Sequence, residues 1–397
     1  MRTQSDRDFS PNGLLSNGVG FVNKVLDHDR WSQAEARGAE LLTHIQPKKK
    51  SDEHRNAVVS YLRRLITKFV PCQVFPFGSV PLNTYLPEGD IDLTAFCESR
   101  YLTDSLIKEV LYTLETEGNN VNAKFKVKEV QYIQAEVKII KCLVDKFVVD
   151  ISFNQLGGLG ALCFLEEVDN LIQRNHLFKR SIILIKAWCY YESRILGSYH
   201  GLLSTYALET LVMYIFNVYK NTFAGPLEVL FRFLHFFSKF DWKNYCISLW
   251  GPVPIGSLPN MEAEPPREDC QELLFSEKFL TACKSCYGAT PSVQGNEERP
   301  FVSKFFNIID PLRPNNNLGR SISKGKKGDG DEGLAVWVVD GDPVQEIMVC
   351  GLDWGDKVGS GGIVRMSRGI QGEELEVGGE DGDGAPFQDT SKLNEHL

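Results

Sequence analysis

The sequence contains no apolar run of about 18 residues, so we expect no transmembrane helix. The first residues, Met1–Asp8, are polar and lack the apolar core of a secretory signal. Histidine is scarce, with 7 in 397 residues, and its distribution suggests no general base. Only one C-x-x-C occurs, at Cys283–Cys286, and it has no second pair at the spacing of a zinc ribbon.

The 10 cysteines are scattered, mostly inside apolar segments such as those around Cys142, Cys163 and Cys189. This distribution is typical of reduced, buried thiols rather than of a disulfide framework. The sequence therefore predicts a nuclear or cytoplasmic protein that is neither secreted nor bound to a membrane.

The net charge of −9 comes from one end of the chain. Residues 325–397 carry 16 acidic residues against 6 lysines and arginines, together with 16 of the 34 glycines. We expect this glycine- and acid-rich tail, like the polar residues 1–26, to be disordered. The remainder is close to neutral, so the overall charge neither favours nor opposes an RNA substrate.

Two carboxylates separated by one apolar residue follow a glycine-serine turn. Gly78–Ser79 offers backbone N–H groups and a hydroxyl to a phosphate. If 90–94 is a strand, Asp90 and Asp92 project from one face, because alternate strand residues share a face. The alternative is a solvated turn after Gly89. Two such acids repel unless a cation lies between them, and Mg²⁺ prefers oxygen ligands of this kind.

A third acid, Asp150, lies inside the apolar run Val148–Phe153. An unpaired carboxylate in such a strand is costly, so we predict that Asp150 joins the first two acids in one metal site.

The hydrophobic periodicity divides the rest of the chain into two parts. A mixed α/β unit over about 51–160 has a first strand predicted to start at 74–75, further strands near 92–96, 125–131, 135–143 and 146–153, and a helix near 105–117. From about Asn170 the pattern is helical, with helices over 177–191, 204–218 and 226–240 and a loop over 250–256. The aromatic residues of 231–242 are predicted to form core rather than an RNA-stacking surface.

The Gly78–Ser79 turn, the Asp90/Asp92 pair and Asp150 together resemble the catalytic signature of the DNA polymerase β-like nucleotidyltransferases. Residues 74–96 and 130–159 are most similar to the plant branch of noncanonical poly(A) polymerase-like proteins. The resemblance implies an α+β protein, with a mixed-sheet nucleotidyltransferase domain over 51–165 and a mostly helical PAP/OAS1-type substrate-binding domain over 166–324. It also implies that a helix within 27–50 packs on the helical domain.

The same resemblance implies a nucleotide site. Gly78, Ser79 and Lys186 would hold the phosphates. Some family members carry a second lysine where this chain has Tyr190, and Arg194 is the alternative for that role.

Further residues would contact the rest of the nucleotide. Ser204 and Thr205 would offer hydroxyls and Tyr206 would stack on the base, with plain helix packing as the alternative for Tyr206. The family's sugar-contacting turn would contain Asn154 with 157–158, and its base-recognition loop would contain Asn316 and Asn317, unless the asparagines simply form a turn.

The implied function is template-independent addition of AMP, or another nucleoside monophosphate, from an NTP to an RNA 3′ end. Two Mg²⁺ or Mn²⁺ ions would be held by Asp90, Asp92 and Asp150. The recognition loop has no histidine that would hint at uridine, which slightly favours ATP over UTP. A uridylyltransferase, a second-messenger synthase and a catalytically inactive RNA- or protein-binding scaffold stay open.

Overall fold

The computed structural model describes residues 28–97, 103–135, 137–193, 195–197, 201–258, 260–266, 272–288 and 300–322. The termini that the sequence predicts to be disordered, 1–26 and 325–397, lie outside these ranges, and so does Arg194.

The first half is organised around a five-stranded mixed sheet in the order β1-β2-β5-β4-β3. Strand β2 is parallel to β5, and the other neighbouring pairs are antiparallel. The strands are β1 Gln73–Phe77, β2 Ile91–Phe96, β3 Val127–Ile133, β4 Ile139–Val144 and β5 Phe147–Phe153.

Three helices precede or interrupt this sheet: α2 Lys49–Phe69, the single turn α3 Ser79–Leu82, and α4 Thr103–Gly118. Val58, Leu62 and Ile66 recur on one face of α2 and are fully buried, as an amphipathic helix requires. They share a core with Ile91 and Leu93 of β2, so alternate residues of β2 point inward and leave Asp92 on the opposite face.

The second half is helical and has its own large core. Its helices are α5 Leu156–Ile172, α6 Leu177–Ala187, α7 Thr205–Tyr219, α8 Pro226–Phe237 and α9 Glu277–Tyr287, and a π-helical turn over Trp188–Glu192 follows α6. The predicted aromatic core is confirmed, because Phe231, Phe233, Phe236, Phe237 and Phe240 are all buried.

The first described helix, α1 His28–Ile45, packs on the helical half. Leu41, Leu42 and Ile45 belong to its core. The Glu35 carboxylate accepts hydrogen bonds from the backbone N–H groups of Leu227 (3.1 Å) and Glu228 (3.2 Å), at the start of α8. Helix α1 therefore caps α8, since the first N–H groups of a helix have no partner within the helix.

Several predicted boundaries differ from the structure. The strand predicted over 125–131 lies two residues further along, the strand predicted over 135–143 begins four residues later and ends one residue later, and the helix predicted to reach 240 ends at Phe237. The predicted loop over 250–256 is wrong, since β7 Gly251–Pro254 pairs with β6 Tyr245–Ser248. Prolines are tolerated there because β7 is the edge strand of this small sheet. No helix in the described ranges has the length and apolarity needed to cross a membrane.

Candidate active site

Three carboxylates converge at the ends of two neighbouring strands. Asp92 of β2 is the direct register partner of Asp150 of β5, and Asp90 comes immediately before β2. One carboxylate oxygen from each of the three lies within 4.8 Å of the others. The structure thus brings together the three acids that the sequence singled out.

Two of these acids, Asp92 and Asp150, bind protons more tightly than free carboxylates. Burial, followed by repulsion from Asp90 and Asp150, raises the pKa of Asp92 to about 8, against the opposing attraction of Lys186 and Lys141. Burial also raises the pKa of Asp150, and the nearby Lys141 opposes this shift. A group of like charges that is partly buried needs a cation to be stable in its ionised form.

One oxygen of the cluster is suited to accept such a cation. Asp150 Oδ1 is buried and accepts no hydrogen bond from the described residues, and the Lys141 Nζ atom lies 3.6 Å from it. Buried polar atoms almost always have a partner. Oxygen-only donors fit Mg²⁺ or Mn²⁺, so Asp90, Asp92 and Asp150 have the chemistry of a divalent metal site.

Gly78 allows the turn after β1 to pass directly over Asp92. Its φ is +73°, which L-residues avoid, and a Cβ placed there would lie 2.6 Å from Asp92 Oδ2. Ser79 follows as the first residue of α3 and is buried. The backbone N–H groups of this turn therefore lie beside the carboxylate cluster.

Two lysines border the acids. Lys186, near the end of α6, is only 9% exposed. Burial raises the pKa of both Asp92 and the buried Glu209 of α7, and the positive charge of Lys186 opposes both shifts. Lys141 lies opposite Asp150 on β4 and is more exposed. Lys186 thus lies toward the acids, as a phosphate-binding lysine must.

Asn154 follows β5 directly and takes a left-handed conformation, with φ of 55°. Its Oδ1 accepts a hydrogen bond from the Cys97 N–H (3.3 Å), which ties the ends of β5 and β2 together. The glycines 157–158, predicted to belong to a sugar-contacting turn, lie in the first turn of α5. Gly158 fits closely against Phe77, and Gly157 lies beneath the Arg313 guanidinium.

The N-terminus of α7 contains the three residues predicted to contact the nucleotide there. Ser204 is the N-cap, and its Oγ accepts a hydrogen bond from the Ala207 N–H (3.2 Å). Thr205 and Tyr206 form the first turn and are half-buried. The Tyr206 hydroxyl donates to Asp310 Oδ1 over 3.4 Å, so the ring is tethered at its far end.

Asp310 is the centre of the predicted base-recognition loop. It is fully buried, and besides the Tyr206 hydroxyl it accepts from the backbone N–H groups of Leu312 and Arg313, from Arg313 Nε (3.2 Å) and from Asn316 Nδ2 (2.8 Å). One carboxylate therefore fixes the loop and the tyrosine in a common arrangement.

The two asparagines predicted to read a base differ in position. Asn316 is half-buried, with its Oδ1 accepting from Arg320 Nη1 over 2.7 Å. Asn317 is buried. Its Nδ2 donates hydrogen bonds to Asn307 Oδ1 and to the Val302 carbonyl oxygen, and its Oδ1 accepts from the backbone N–H groups of Ile308 and Gly319. The prediction for Asn317 needs correction, because its donors and acceptors are consumed in holding the loop.

Sequence reasoning missed Lys141, Arg55 and the hub role of Asp310. Lys141 could have been found from the alternation of β4, which places it on the same face as Asp150 of the next strand. Arg55 is a fully buried arginine whose partners lie more than 30 residues away, and no local pattern indicates them.

Two family models match the chain. Residues 36–165 match the central palm domain of mitochondrial-like poly(A) RNA polymerase, and residues 172–329 match the PAP/OAS1 substrate-binding domain. Together they span most of the chain and coincide with the sheet and the helical half. The chain belongs to the nucleotidyltransferases of the noncanonical poly(A) polymerase and terminal uridylyltransferase type.

Curated relatives include both kinds of enzyme. Poly(A) RNA polymerase CID14 of Cryptococcus neoformans var. neoformans is 28% identical over 217 residues, which are 52% of this chain but only 27% of CID14. Terminal uridylyltransferase cid1 of Schizosaccharomyces pombe is 24% identical over 308 residues, 72% of this chain and 73% of cid1. The chain thus spans about a quarter of CID14 and most of cid1.

Solved structures show the same fold. The crystal structure of Cid1 poly(U) polymerase with MgGTP bound has a TM-score of 0.56 and 18% identity, and the match covers 82% of this chain and 94% of Cid1. A cytoplasmic RNA terminal U-transferase has a TM-score of 0.52 and 17% identity, with 81% and 93% covered.

Proposed function

We propose that this chain transfers a nucleoside monophosphate from an NTP to the 3′ end of an RNA, without a template. The observation that carries this proposal is the convergence of Asp90, Asp92 and Asp150 within 4.8 Å, beside the Gly78–Ser79 turn. Divalent metal ions held there would activate the 3′-hydroxyl and neutralise the charge on the leaving pyrophosphate.

The side chains around the acids divide the remaining work. The Ser79 hydroxyl, the N–H groups of its turn and the Lys186 ammonium bind phosphate oxygens. Tyr206, tethered by Asp310, offers its ring face to the base, and Asn316 offers an amide beside it. Because stacking tolerates any base, the choice between nucleotides falls to the polar groups of the recognition loop.

ATP is the nucleotide we expect to be favoured, and the cognate metal is Mg²⁺ or Mn²⁺. A terminal uridylyltransferase is the second candidate, supported by the length over which cid1 matches. An inactive scaffold of the same fold is disfavoured by the three intact acids.

Incubation of the purified chain with a short labelled RNA, Mg²⁺ and each NTP in turn tests the proposal, with Asp92→Asn as the control. Stepwise extension by wild type and none by the variant is expected. Equal lack of extension by both proteins, in Mg²⁺ and in Mn²⁺, contradicts it. Longer products with UTP than with ATP reverse the nucleotide assignment and leave the chemistry intact.

A further inference from the structure

The segment Tyr85–Gly89, named here the connector, leads from α3 to Asp90 and contains no helix or strand. Its path determines where the Asp90 carboxylate lies, because Asp90 precedes the first paired residue of β2. Within the connector the Gly89 N–H donates to the Leu86 carbonyl oxygen over 2.8 Å, and side-chain contacts anchor the segment to its surroundings. The contacts that hold the connector are therefore part of the construction of the acid cluster.

Arg55 of α2 makes two hydrogen bonds to the connector, which is also bonded to Asp52 through the Tyr85 hydroxyl and to Tyr191 through the Glu88 carboxylate. Its Nη1 donates to the Gly89 carbonyl oxygen over 2.5 Å, and its Nη2 donates to that of Pro87 over 3.0 Å. Gly89 is the residue immediately before Asp90. One rigid guanidinium thus fixes two carbonyls, and that of Gly89 belongs to the peptide bond with Asp90.

The guanidinium also lies over two aromatic rings. It lies 4.3 Å from the ring centre of Tyr85 and 4.4 Å from that of Phe147. Tyr85 begins the connector, and Phe147 is the first residue of β5, the strand that contains Asp150. Arg55 therefore contacts the segment leading to Asp90 and the strand leading to Asp150 at the same time.

Burial of this charge is expensive, and the stacked rings offset only part of the cost. The side chain is fully buried, and burial lowers the pKa of the Arg55 guanidinium, with Tyr85 and Asp90 opposing the shift. An apolar side chain would fill such a site at less cost. What the arginine adds is a pair of hydrogen bonds that fix both the position and the orientation of the connector.

We propose that Arg55 is a positioning residue of the metal site, which fixes the connector against β5 so that the Asp90 carboxylate meets those of Asp92 and Asp150. The proposal rests on the proposed function for its catalytic meaning. The effect of Arg55 on the geometry of the cation site can be tested by metal binding alone, without any reaction. A lysine cannot replace the arginine, since it lacks both the planar fork and the flat face.

The test compares Arg55→Lys with Arg232→Lys as a matched control. Arg232 is also a buried arginine over a tyrosine ring, 5.0 Å from the centre of Tyr219, and it pairs with Glu228 at 3.5 Å. It lies in α8 of the helical half, in a different core from the acids. Both variants keep the charge and lose the fork.

Mn²⁺ binding to the nucleotide-free protein is followed by electron paramagnetic resonance, with melting temperature recorded alongside. We expect Arg55→Lys to bind Mn²⁺ about 10- to 100-fold more weakly. Arg232→Lys should lower the melting temperature but bind Mn²⁺ like wild type. In RNA extension, Arg55→Lys should lower kcat with a smaller change in the KM for NTP.

A folded Arg55→Lys protein with wild-type Mn²⁺ affinity overturns the proposal, as does equal weakening by Arg232→Lys. If Arg55→Lys does not fold, Phe147→Leu removes one stacking face and leaves the hydrogen bonds. It must still weaken Mn²⁺ binding, and unchanged binding there overturns the proposal. Wild type that binds Mn²⁺ through Asp92 but extends no RNA refutes the proposed function alone.

Discussion

Asp92 and Asp150 are register partners on the parallel strands β2 and β5, although α4 and a hairpin separate them in sequence. Parallel neighbours point to the same face of a sheet, so the two carboxylates face one another by construction. Asp90, held at the entrance to β2, completes the cluster. The chemistry of the protein follows from this pairing, and so do the predictions below.

Asp92→Asn should abolish RNA extension. Residues around metal ligands already cost about 10- to 100-fold when changed, so loss of a ligand should exceed about 100-fold. The same change keeps the side-chain shape and removes an acid whose ionisation is opposed by burial and by the neighbouring acids, so the melting temperature in EDTA should be equal or higher. Primer extension and thermal melting check both statements. A marked loss of metal-free stability would show that Asp92 has a structural role that its surroundings do not indicate.

Gly78→Ala should inactivate the protein while leaving it folded. The new Cβ would lie 2.6 Å from Asp92 Oδ2, and the backbone φ of +73° is strained for alanine. We expect a stability cost of about 1–3 kcal/mol and loss of extension. Gly256→Ala is the matched control, because its Cβ would meet nothing within 4 Å. Full activity of Gly78→Ala would disprove the close approach of the turn to the acids.

Two substitutions at Tyr206 separate stacking from the tether to Asp310. Tyr206→Ala should raise the KM for nucleotide by about 5- to 150-fold, the equivalent of one base stack, with a smaller effect on kcat. Tyr206→Phe keeps the ring and loses the hydrogen bond to Asp310, so its KM should rise less. Steady-state kinetics with each NTP gives both numbers. Equal KM values for the two variants would show that the hydrogen bond to Asp310, and not ring stacking, accounts for the increase in KM.

His235 should make the helical half sensitive to acid. Burial, assisted by Lys239 and Arg232, lowers the pKa of His235 to about 3. The unfolded chain takes up this proton below about pH 6.5 and the folded chain does not, so stability is lost as the pH falls from about 6.5 toward 3. Between pH 7 and 5 the loss from this group should be about 2 kcal/mol.

His235→Phe tests this assignment, because a phenyl ring keeps the stacking on Phe231, whose ring centre lies 5.9 Å away. Urea unfolding of both proteins at the two pH values gives the difference. The variant should lose about 2 kcal/mol less than wild type on acidification. Identical losses in the two proteins would assign the acid sensitivity to other groups.

The sequence foretells the acids and the fold for physical reasons. Asp90 and Asp92 lie within one short segment, and the strand around Asp150 is so apolar that its carboxylate needs an explanation there. The helical half is visible from its apolar periodicity. These features depend on residues close together in the chain, so they can be recognised in a single sequence.

The sequence does not predict the long-range contacts that orient side chains and loops around the site. Arg55 is indistinguishable by sequence from any arginine on an amphipathic helix, because its carbonyl partners lie in a distant connector. The resemblance of its loop to a base-recognition loop implies that Asn317 contacts a base, whereas the fold turns its amide inward. The strand at Gly251–Pro254 was hidden by two prolines that an edge position tolerates.

The parallel pairing of β2 with β5 also determines the stage of folding at which the acid cluster can form. A chain that has emerged only as far as β4 contains Asp90 and Asp92 but has no partner for them, and Lys186 arrives still later. Contacts of such long sequence separation form late, after local helices and hairpins. The capacity to bind a divalent ion is therefore acquired only when the five-stranded sheet is complete. The time at which Mn²⁺ binds during refolding then reports when β5 joins the sheet.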